Sequence, residues 1–362
     1  MKIVCVAGAR PNFMKIAPIM KEFKKYPEVR SLLVHTGQHY DETMSKFFFT
    51  DLEIPEPDVN LGVGSGLHGE QTGKIMIEFE KLLSRERPDL ILVVGDVNST
   101  IACALVASKL TIKVAHVEAG LRSYDRTMPE EVNRILTDRI SDFLFTTCRE
   151  ARLNLLSEGI REEKIFFVGN VMIDTLLTNQ VRAEKSNILE TLGLQERKYA
   201  VLTLHRPSNV DQRDTFERIL NALERIQKRV KIVFSIHPRS RKSLDNLKLT
   251  ERIENMSDLM LVQPLGYLDF LKLIHDAKLV MTDSGGIQEE TTVLGVPCLT
   301  LRENTERPVT VTEGTNVVVG SDEEKIVCEA YTILDGRNKR GRIPELWDGK
   351  AAERIARILT EE

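Results

Sequence analysis

The sequence lacks the features that mark membrane proteins and nucleic-acid-binding proteins. No apolar run approaches the roughly 18 residues that a membrane-spanning helix needs, and the first residues enter a short apolar run without the architecture of a signal peptide. Basic residues are not in excess, because the formal net charge is −4. We therefore expect a cytoplasmic protein that binds neither nucleic acid nor an anionic membrane.

Several signatures of cofactors and nucleophiles are also missing. The five cysteines form no C-x-x-C pair, and there is neither a His-Glu-x-x-His motif nor a Gly-x-Ser-x-Gly turn. No G-x-G-x-x-G or Walker pattern is present. Cys5, Cys103 and Cys298 lie in apolar runs, which is typical of buried free thiols in a reducing compartment. These patterns predict a protein with no metal, no cofactor and no evident covalent nucleophile.

What the sequence does contain is a repeated alternation of short apolar runs and amphipathic segments. The runs show no polar alternation, which is typical of parallel strands covered on both faces, and the segments between them have helical periodicity. The predicted strands are Ile3–Ala7, Leu32–His35, Leu90–Val94, Val114–Val117, Phe143–Phe145, Ile165–Val168, Tyr199–Leu204, Ile232–Ile236, Leu259–Val262, Leu279–Thr282 and Cys298–Leu301. This order predicts an α/β protein with doubly wound parallel sheets.

The length of 362 residues exceeds the size at which one hydrophobic core usually keeps growing, so we expect two domains. We predict an N-terminal Rossmann-like domain over residues 1–172 and a C-terminal Rossmann-like domain over residues 173–348. A final helix within residues 349–362 is expected to pack back on the N-terminal domain. Because ligands of such sheets bind beyond the carboxyl ends of the strands, two facing domains predict an interdomain cleft.

The clearest local motif is a glycine-rich turn that follows a predicted strand of the second domain. Ser284, Gly285 and Gly286 open a helix, whose free N–H groups and positive dipole end suit a diphosphate. Glu290, one turn later, would be repelled by phosphate, so a ligand role for it points to the hydroxyls of a ribose. Arg307 lies in a later loop and is a candidate for fixed positive charge. The alternatives are a capped helix with an exposed acid and a solvated loop arginine.

The first predicted strand leads into a second, weaker anion-binding motif. Pro11 suits the first turn of a helix, and Arg10 and Lys15 place two cations near the start of that helix. The helix dipole disfavours cations at this position, so an anion between them is indicated.

Candidate acid–base residues follow other predicted strands. Asp96 and Glu118 come directly after two strands of the first domain, and His205 follows the first strand of the second domain. Glu130 and Glu131 open a predicted helix. Carboxylates at the ends of neighbouring parallel strands can converge, which makes these residues candidates for general acid–base catalysis. The alternatives are first-turn acids that complement a helix dipole and a structural histidine.

Taken together, these residues resemble the non-hydrolysing UDP-N-acetylglucosamine 2-epimerases. The matching runs occur in the order of that family across nearly the whole chain. They are Gly8-Ala9-Arg10-Pro11 with Lys15, Thr36-Gly37-Gln38-His39, Gly95-Asp96, His116-Val117-Glu118-Ala119-Gly120-Leu121-Arg122, Pro129-Glu130-Glu131-Val132-Asn133-Arg134, Gly169-Asn170, His205-Arg206, Thr282–Glu290 and Thr305-Glu306-Arg307-Pro308.

The resemblance implies a GT-B-like architecture, a homodimer, no cofactor, and UDP bound mainly to the C-terminal domain. It implies inversion at C2 of UDP-N-acetylglucosamine by elimination of UDP to 2-acetamidoglucal and its re-addition, for the synthesis of polysaccharide or glycan precursors. The implied catalytic residues are Asp96, Glu118, Glu130 or Glu131, and His205. The implied substrate contacts are Arg10, Lys15, Asp96, Glu118, His205, Phe270, Ser284, Gly285, Gly286, Glu290 and Arg307. An activator site of the kind found in some members would use Gln38, Gln71, Arg206 and His237.

Four other functions remain open from the sequence. A hydrolysing epimerase would release UDP and free N-acetylmannosamine, and an epimerase for a more decorated UDP-sugar would use the same chemistry. A GT-B glycosyltransferase would need an acceptor and would not exchange the C2 hydrogen with solvent. A non-catalytic UDP-sugar sensor would have no need for so many acids near an anion.

Overall fold

The structure, a computed structural model, describes residues 1–38 and 55–361, with the exception of the side chain of Arg10. It divides into two compact units. The first unit comprises Met1–Thr178 together with Glu345–Glu362, and the second unit comprises Asn179–Pro344. None of the helices in the described ranges combines the length and the apolarity needed to cross a membrane.

The first unit is built on a seven-stranded parallel sheet with the order β3-β2-β1-β4-β5-β6-β7. Its strands are β1 Lys2–Ala7, β2 Arg30–His35, β3 Val59–Asn60, β4 Leu90–Val94, β5 Lys113–Ala119, β6 Phe143–Thr146 and β7 Ile165–Phe167. Its helices are α1 Arg10–Phe23, α2 His68–Glu86, α3 Asn98–Lys109, α4 Pro129–Ile140, α5 Arg149–Ser157 and α6 Val171–Ala183, with a 3-10 turn at Glu162–Lys164. Every residue of β4 is buried, because helices cover both faces of the central strands.

The second unit repeats this design with a six-stranded parallel sheet of order β10-β9-β8-β11-β12-β13. Its strands are β8 Tyr199–Thr203, β9 Lys231–Ser235, β10 Leu259–Val262, β11 Leu279–Thr282, β12 Cys298–Thr300 and β13 Asn316–Val318. Its helices are α7 Ile188–Thr191, α8 Pro207–Val210, α9 Arg213–Ile226, α10 Pro238–Asn246, α11 Thr250–Glu254, α12 Tyr267–His275, α13 Gly285–Leu294, α14 Pro308–Thr312 and α15 Glu323–Leu334. The predicted α/β class with two Rossmann-like domains is therefore confirmed.

The chain returns to the first unit through its last residues. The final helix α16, Ala351–Glu361, contacts α1. Asp174 accepts hydrogen bonds from the backbone N–H groups of Ala351 and Ala352, at 3.2 and 2.7 Å, and so caps the start of α16. The indole Nε1 of the buried Trp347 donates to the carbonyl of Thr147 at 2.8 Å. The C-terminal segment is thus part of the first unit.

The structure contains several elements that the sequence did not predict. The division between the units lies after Thr178, close to the predicted boundary at residue 172, and the helix α6 that spans it was not predicted. Val171, Ile173 and Leu176 are buried, and Asn170 Oδ1 accepts from the N–H of Met172 at 3.0 Å, so packing and an asparagine cap both stabilise this helix. The short edge strands β3 and β13 were not predicted, because two or three residues carry no measurable periodicity.

Candidate active site

Both sheets place their candidate residues at the same topological position. Strand addition reverses direction between β1 and β4 in the first unit and between β8 and β11 in the second. Such switch points form crevices beyond the carboxyl ends of the strands, where ligands of open α/β sheets bind. Asp96 follows β4 and Glu118 lies near the end of β5, while His205 follows β8 and Ser284 follows β11.

Glu118 occupies a strained position in β5. Its φ angle is 70°, in the left-handed region that residues with a side chain rarely adopt. The pairing of β5 with β6 shifts register between Val117 and Ala119, so Glu118 is the extra residue of a bulge. Bulges and strained backbones recur beside functional sites because they redirect a side chain. The backbone at Glu118 therefore makes it a candidate functional residue independently of its chemistry.

The carboxylate of Glu118 is buried and asymmetrically bound. Its Oε2 lies 2.5 Å from Nζ of Lys15, which α1 carries, and both side chains are buried. Its Oε1 is buried and has no hydrogen-bond partner within residues 1–38 and 55–361. One oxygen is thus held in place and the other can accept a proton, an arrangement that suits a general base.

Asn12 and Gly95 bring the turn after β1 and the turn after β4 together. Asn12 Oδ1 accepts hydrogen bonds from the N–H groups of Gly8 and Ala9, and its Nδ2 donates to the carbonyl of Val94. Gly95 has a φ of +66°, and a Cβ added there would lie 3.6 Å from Lys15 Nζ and 3.7 Å from Glu118 Oε2. The backbone of Gly95 therefore forms one wall of the Lys15–Glu118 pair. Arg10 begins α1, but its side chain lies outside the described structure.

Asp96 is connected to α4 through an arginine. Arg134 donates from Nη2 to Asp96 Oδ2 at 2.5 Å and from Nη1 to Glu131 Oε2 at 2.7 Å. Asn133 donates to the backbone carbonyl of Asp96 at 2.9 Å. The side chain of Asp96 remains 31% exposed, so it is accessible to a ligand despite its bond to Arg134.

The structure distinguishes the two adjacent acids at the start of α4. Glu131 is buried and accepts hydrogen bonds from Ser123 N, Ser123 Oγ, Tyr124 N and Arg134. These four donors occupy its carboxylate and fix the loop that precedes α4. Glu130 is half-buried, and its first-turn position leaves its carboxylate accessible. The geometry therefore assigns a structural role to Glu131 and favours Glu130 as the acid that meets a substrate.

In the second unit, Asp283 fixes the position of His205. This buried carboxylate follows β11, lies 2.9 Å from His205 Nδ1, and accepts hydrogen bonds from the N–H groups of His205 and Arg206 and from Asn209. Burial would raise the pKa of Asp283, but the contacts with His205 and the backbone N–H groups outweigh it and lower that pKa. Asp283 is thus ionised and orients the imidazole. Asp283 was not among the predicted site residues, although its place at a strand end was a usable signal.

A buried ion network lies at the start of α13. A Cβ on Gly285 would come within 2.4 Å of Arg307 Nη1, so only glycine allows the guanidinium to approach the helix start. Arg307 Nε lies 2.8 Å from Glu289 Oε1, and Nη1 contacts Glu306. Arg302 donates to the other oxygen of Glu306 at 2.7 Å. Arg307 is therefore a buried, oriented cation rather than a solvated loop residue.

Glu290 is the buried acid of this helix start. Tyr267 Oη, on α12, donates to Glu290 Oε1 at 3.0 Å. Burial raises the pKa of Glu290 to about 7, and the hydrogen bond from Tyr267 only partly opposes this. Phe270 is half-buried and three residues after Tyr267, which places both rings on one face of α12.

Replacement of Glu290 by glutamine is expected to remove a pH dependence of stability. Because its pKa is raised, Glu290 keeps a proton in the folded protein at pH values between 4.5 and about 7. In the unfolded chain, whose Glu290 has the ordinary pKa of 4.5, this proton is lost. The stabilising contribution is complete below this range and is lost as the pH rises through it. In urea unfolding we expect E290Q to exceed the wild type in stability at pH 8, with a smaller difference at pH 5. The exposed Glu251, changed to glutamine, should show no such pH dependence, and a pH-independent effect of E290Q would contradict the prediction.

The four residues of the predicted activator site lie in two groups. In the first unit, Gln38 Oε1 accepts hydrogen bonds from Ser99 N and Oγ, and Gln71 contacts the carbonyl of Gly64 and the amide of Asn98. In the second unit, the ring of His237 lies 5.7 Å from that of His205, and Arg206 adjoins His205 in the chain. Burial, with the charge of His205, lowers the pKa of His237. His39, from the same sequence motif as Gln38, lies outside the described residues.

Comparison with known proteins agrees with this geometry. The chain matches the family described as UDP-N-acetylglucosamine 2-epimerase over residues 21–360. It is 47% identical to the UDP-N-acetylglucosamine 2-epimerase of Methanocaldococcus jannaschii, over 99% of both chains. It is 41% identical to the UDP-2,3-diacetamido-2,3-dideoxy-D-glucuronate 2-epimerase of Pseudomonas aeruginosa, over the full length of both.

A solved structure extends the match to three dimensions. The crystal structure of the Methanocaldococcus jannaschii UDP-GlcNAc 2-epimerase in complex with UDP-GlcNAc and UDP matches all of this chain, with a TM-score of 0.93 and 47% identity, and all of that chain is covered. Within residues 1–38 and 55–361, no group of three or more His, Cys, Asp and Glu side chains is arranged to hold a metal ion. The resemblance inferred from the sequence is confirmed: the chain belongs to the UDP-N-acetylglucosamine 2-epimerase family.

Proposed function

We propose that this protein interconverts UDP-N-acetylglucosamine and UDP-N-acetylmannosamine by inversion at C2, and so supplies a precursor for polysaccharide or glycan synthesis. The observation that carries the proposal is Glu118, a buried carboxylate on strained backbone with one oxygen bound by Lys15 and the other without a described partner. The oriented cation Arg307 at the start of α13 supplies the matching site for an anionic leaving group.

Chemistry explains why a leaving-group site must accompany the carboxylates. The C2 hydrogen of an N-acetylhexosamine has no adjacent ring carbonyl, so its direct removal would leave an unstabilised carbanion. Departure of UDP with the electrons of the C1–O bond makes C1 electron-poor and acidifies C2–H. A base takes this proton, and the electrons of the C2–H bond form the C1=C2 double bond of 2-acetamidoglucal. Re-addition of UDP at C1, with protonation of the opposite face of C2, gives the epimer.

The residues of the first unit supply the proton transfers in this scheme. Glu118 and Asp96 exchange protons with C2, and Glu130 is a third acid that can take part in these proton transfers. Lys15 holds Glu118 in one orientation through its ion pair at 2.5 Å. The structural contacts of Glu131 exclude it from this role in our scheme.

The residues of the second unit bind the nucleotide. Ser284, Gly285 and Gly286 present the N–H groups of the start of α13 to the diphosphate, and Arg307 adds its charge. Glu290 accepts hydrogen bonds from the ribose hydroxyls, and Phe270 contacts the uracil side. His205, oriented by Asp283, assists departure of UDP beside the diphosphate.

In this scheme the residues of the second unit hold UDP and the carboxylates of the first unit act on the hexosamine. Arg10 and Lys15 lie on the first unit and would approach the sugar and diphosphate. The scheme requires water to be excluded during turnover, because free 2-acetamidoglucal and UDP must be retained until re-addition.

The decisive experiment is incubation with UDP-N-acetylglucosamine in D2O, followed by NMR. We expect UDP-N-acetylmannosamine to form and deuterium to appear at C2 of both epimers. Free N-acetylmannosamine with UDP as the only products would show a hydrolysing epimerase instead. Absence of C2 exchange, with transfer of the sugar to an added acceptor, would show a glycosyltransferase, and binding without any exchange would show a sensor.

A second candidate substrate has support from the relatives. The protein from Pseudomonas aeruginosa, 41% identical, is a UDP-2,3-diacetamido-2,3-dideoxy-D-glucuronate 2-epimerase. The same elimination can act on such a sugar, because its C1 and C2 carry the same substituents as those of UDP-N-acetylglucosamine. Comparison of kcat/KM for the two UDP-sugars decides between them, and a value at least tenfold higher for the uronate would overturn our assignment.

We further propose a cytoplasmic homodimer that UDP-N-acetylglucosamine can activate. The five cysteines are free thiols, which agrees with a reducing compartment. Sedimentation velocity tests the dimer. A hyperbolic rate curve for pure UDP-N-acetylmannosamine, without added UDP-N-acetylglucosamine, would contradict activation through Gln38, Gln71, Arg206 and His237.

A further inference from the structure

A buried histidine connects the two turns that carry Asp96 and Glu118. His116 lies in β5, two residues before Glu118, and is completely buried. Its Nε2 lies 2.8 Å from the carbonyl oxygen of Gly95, the residue before Asp96. The N–H of Gly95 donates to the carbonyl of Val117 at 3.0 Å. Gly95 is thus bound through its carbonyl to His116 and through its N–H to Val117, the two residues that precede Glu118.

Asp138, on α4, holds the same segment from the other side. Its Oδ1 lies 2.7 Å from His116 Nδ1, and its Oδ2 accepts from the N–H of Gly120 at 3.1 Å. His116 and Gly120 are the residues two before and two after Glu118. One buried carboxylate therefore fixes both ends of the strained bulge that carries the base, and this limits the directions in which Glu118 can point.

The hydrogen bonds determine the protonation of His116. A backbone carbonyl can only accept, so Nε2 must carry a proton to bind Gly95. Asp138 also faces Arg122 at 2.7 Å and the N–H of Gly120, so it is an ionised acceptor, and Nδ1 must carry a proton as well. Both ring nitrogens therefore donate.

The charges of the surrounding network agree with a cationic His116. Arg122 contacts two carboxylates, those of Asp138 and Glu158. Its pair with Glu158 is bidentate: Nε donates to Oε1 and Nη2 donates to Oε2, each at 2.7 Å. Asp138 is buried, whereas Glu158 is exposed at the edge of the network. With a cationic His116 the four side chains carry two positive and two negative charges.

We propose that His116, doubly protonated and bound to Asp138, is a positioning residue that sets the geometry of Asp96 and Glu118 relative to each other. It touches no substrate and acts through the Gly95 carbonyl and the β5 bulge. The inference rests on the proposed epimerase function, but the protonation of His116 can be measured without any turnover.

The test combines a conservative variant with a direct measurement of protonation. D138N removes the negative charge and cannot accept from three donors at once. We expect kcat to fall about 100-fold, because a displacement of about 1 Å in the reacting groups has this effect. KM and the affinity for UDP should remain within about twofold of the wild type, since the nucleotide site on the second unit is untouched.

The matched control is D142N. Asp142 also accepts from the backbone of β5, at Val114 N, but at the end of the strand away from Glu118. It should retain wild-type kcat. A D138N variant with wild-type kcat, or equal losses in both variants, would overturn the proposal, and a D138N variant that loses UDP binding would show a general structural defect instead of positioning.

The second measurement is 15N NMR of histidine-labelled wild-type protein, with the His116 signals assigned by their absence in H116Q. Both ring nitrogens of His116 should show the shifts of protonated imidazolium at pH 7. Neutron crystallography locates the same two protons without a variant, should H116Q fail to fold. A single protonated nitrogen would refute the doubly protonated state even if the protein is an active epimerase, whereas a wild type without C2 exchange would refute the proposed function and leave this result standing.

Discussion

Replacement of Glu118 by glutamine is expected to lower kcat by about 1,000-fold, the midrange for loss of a general base. The amide matches the carboxylate in size but cannot accept the C2 proton. It also leaves Lys15 without its buried counter-ion, since the two side chains meet at 2.5 Å. Deuterium incorporation at C2 should fall in parallel with kcat, because the same proton transfer underlies both. UDP affinity, measured by calorimetry, should stay close to that of the wild type.

The control for Glu118 separates proton transfer from the loss of an ion pair. Glu86 pairs with Lys2 in the same unit, at 2.9 Å, and its side chain is partly exposed. E86Q removes a comparable Lys–Glu contact far from the proposed chemistry, and it should turn over at the wild-type rate. An E118Q variant that keeps kcat within a few-fold of the wild type would remove Glu118 from the mechanism.

The second large effect is expected from Arg307. Hydrogen bonds to charged groups contribute about 1.5–3 kcal/mol, so R307Q should weaken UDP binding by about 10- to 100-fold. The buried guanidinium lies against Gly285 at the start of α13, where a diphosphate would meet it. Calorimetric titration with UDP measures the change directly, and it needs no assumption about the sugar.

Arg302 provides the comparison that this experiment needs. It is buried like Arg307 and donates to Glu306, so R302Q also removes a guanidinium from that carboxylate. We expect R302Q to lower stability while leaving UDP affinity nearly intact. Equal losses of affinity in the two variants would mean that displacement of Glu306, and not the charge of Arg307, controls the site. Unchanged affinity in R307Q would refute the anion site.

The contacts of Glu131 and Asp283 show where sequence reasoning stops. Adjacent glutamates in Pro129-Glu130-Glu131 are equivalent in sequence, and only the fold brings Ser123 and Tyr124 to Glu131 and leaves Glu130 accessible. Asp283 lies in the motif Thr282–Glu290, yet its partners His205 and Asn209 are more than 70 residues away in the chain. Such pairings depend on strand order, which apolar periodicity does not specify.

The amino-acid sequence by itself determined the α/β class, nearly all the strands, the family, and the positions of Asp96, Glu118 and Ser284 at strand ends, because burial and turn chemistry act over short stretches of chain. The tertiary structure alone decided which of these groups are bound and which are accessible. The Lys15–Glu118 pair joins residues 103 positions apart, and Asp138, on α4, accepts from the N–H of Gly120 beside the bulge at Glu118. A carboxylate becomes a base through the neighbours that the packing gives it, and those neighbours are set by the three-dimensional fold.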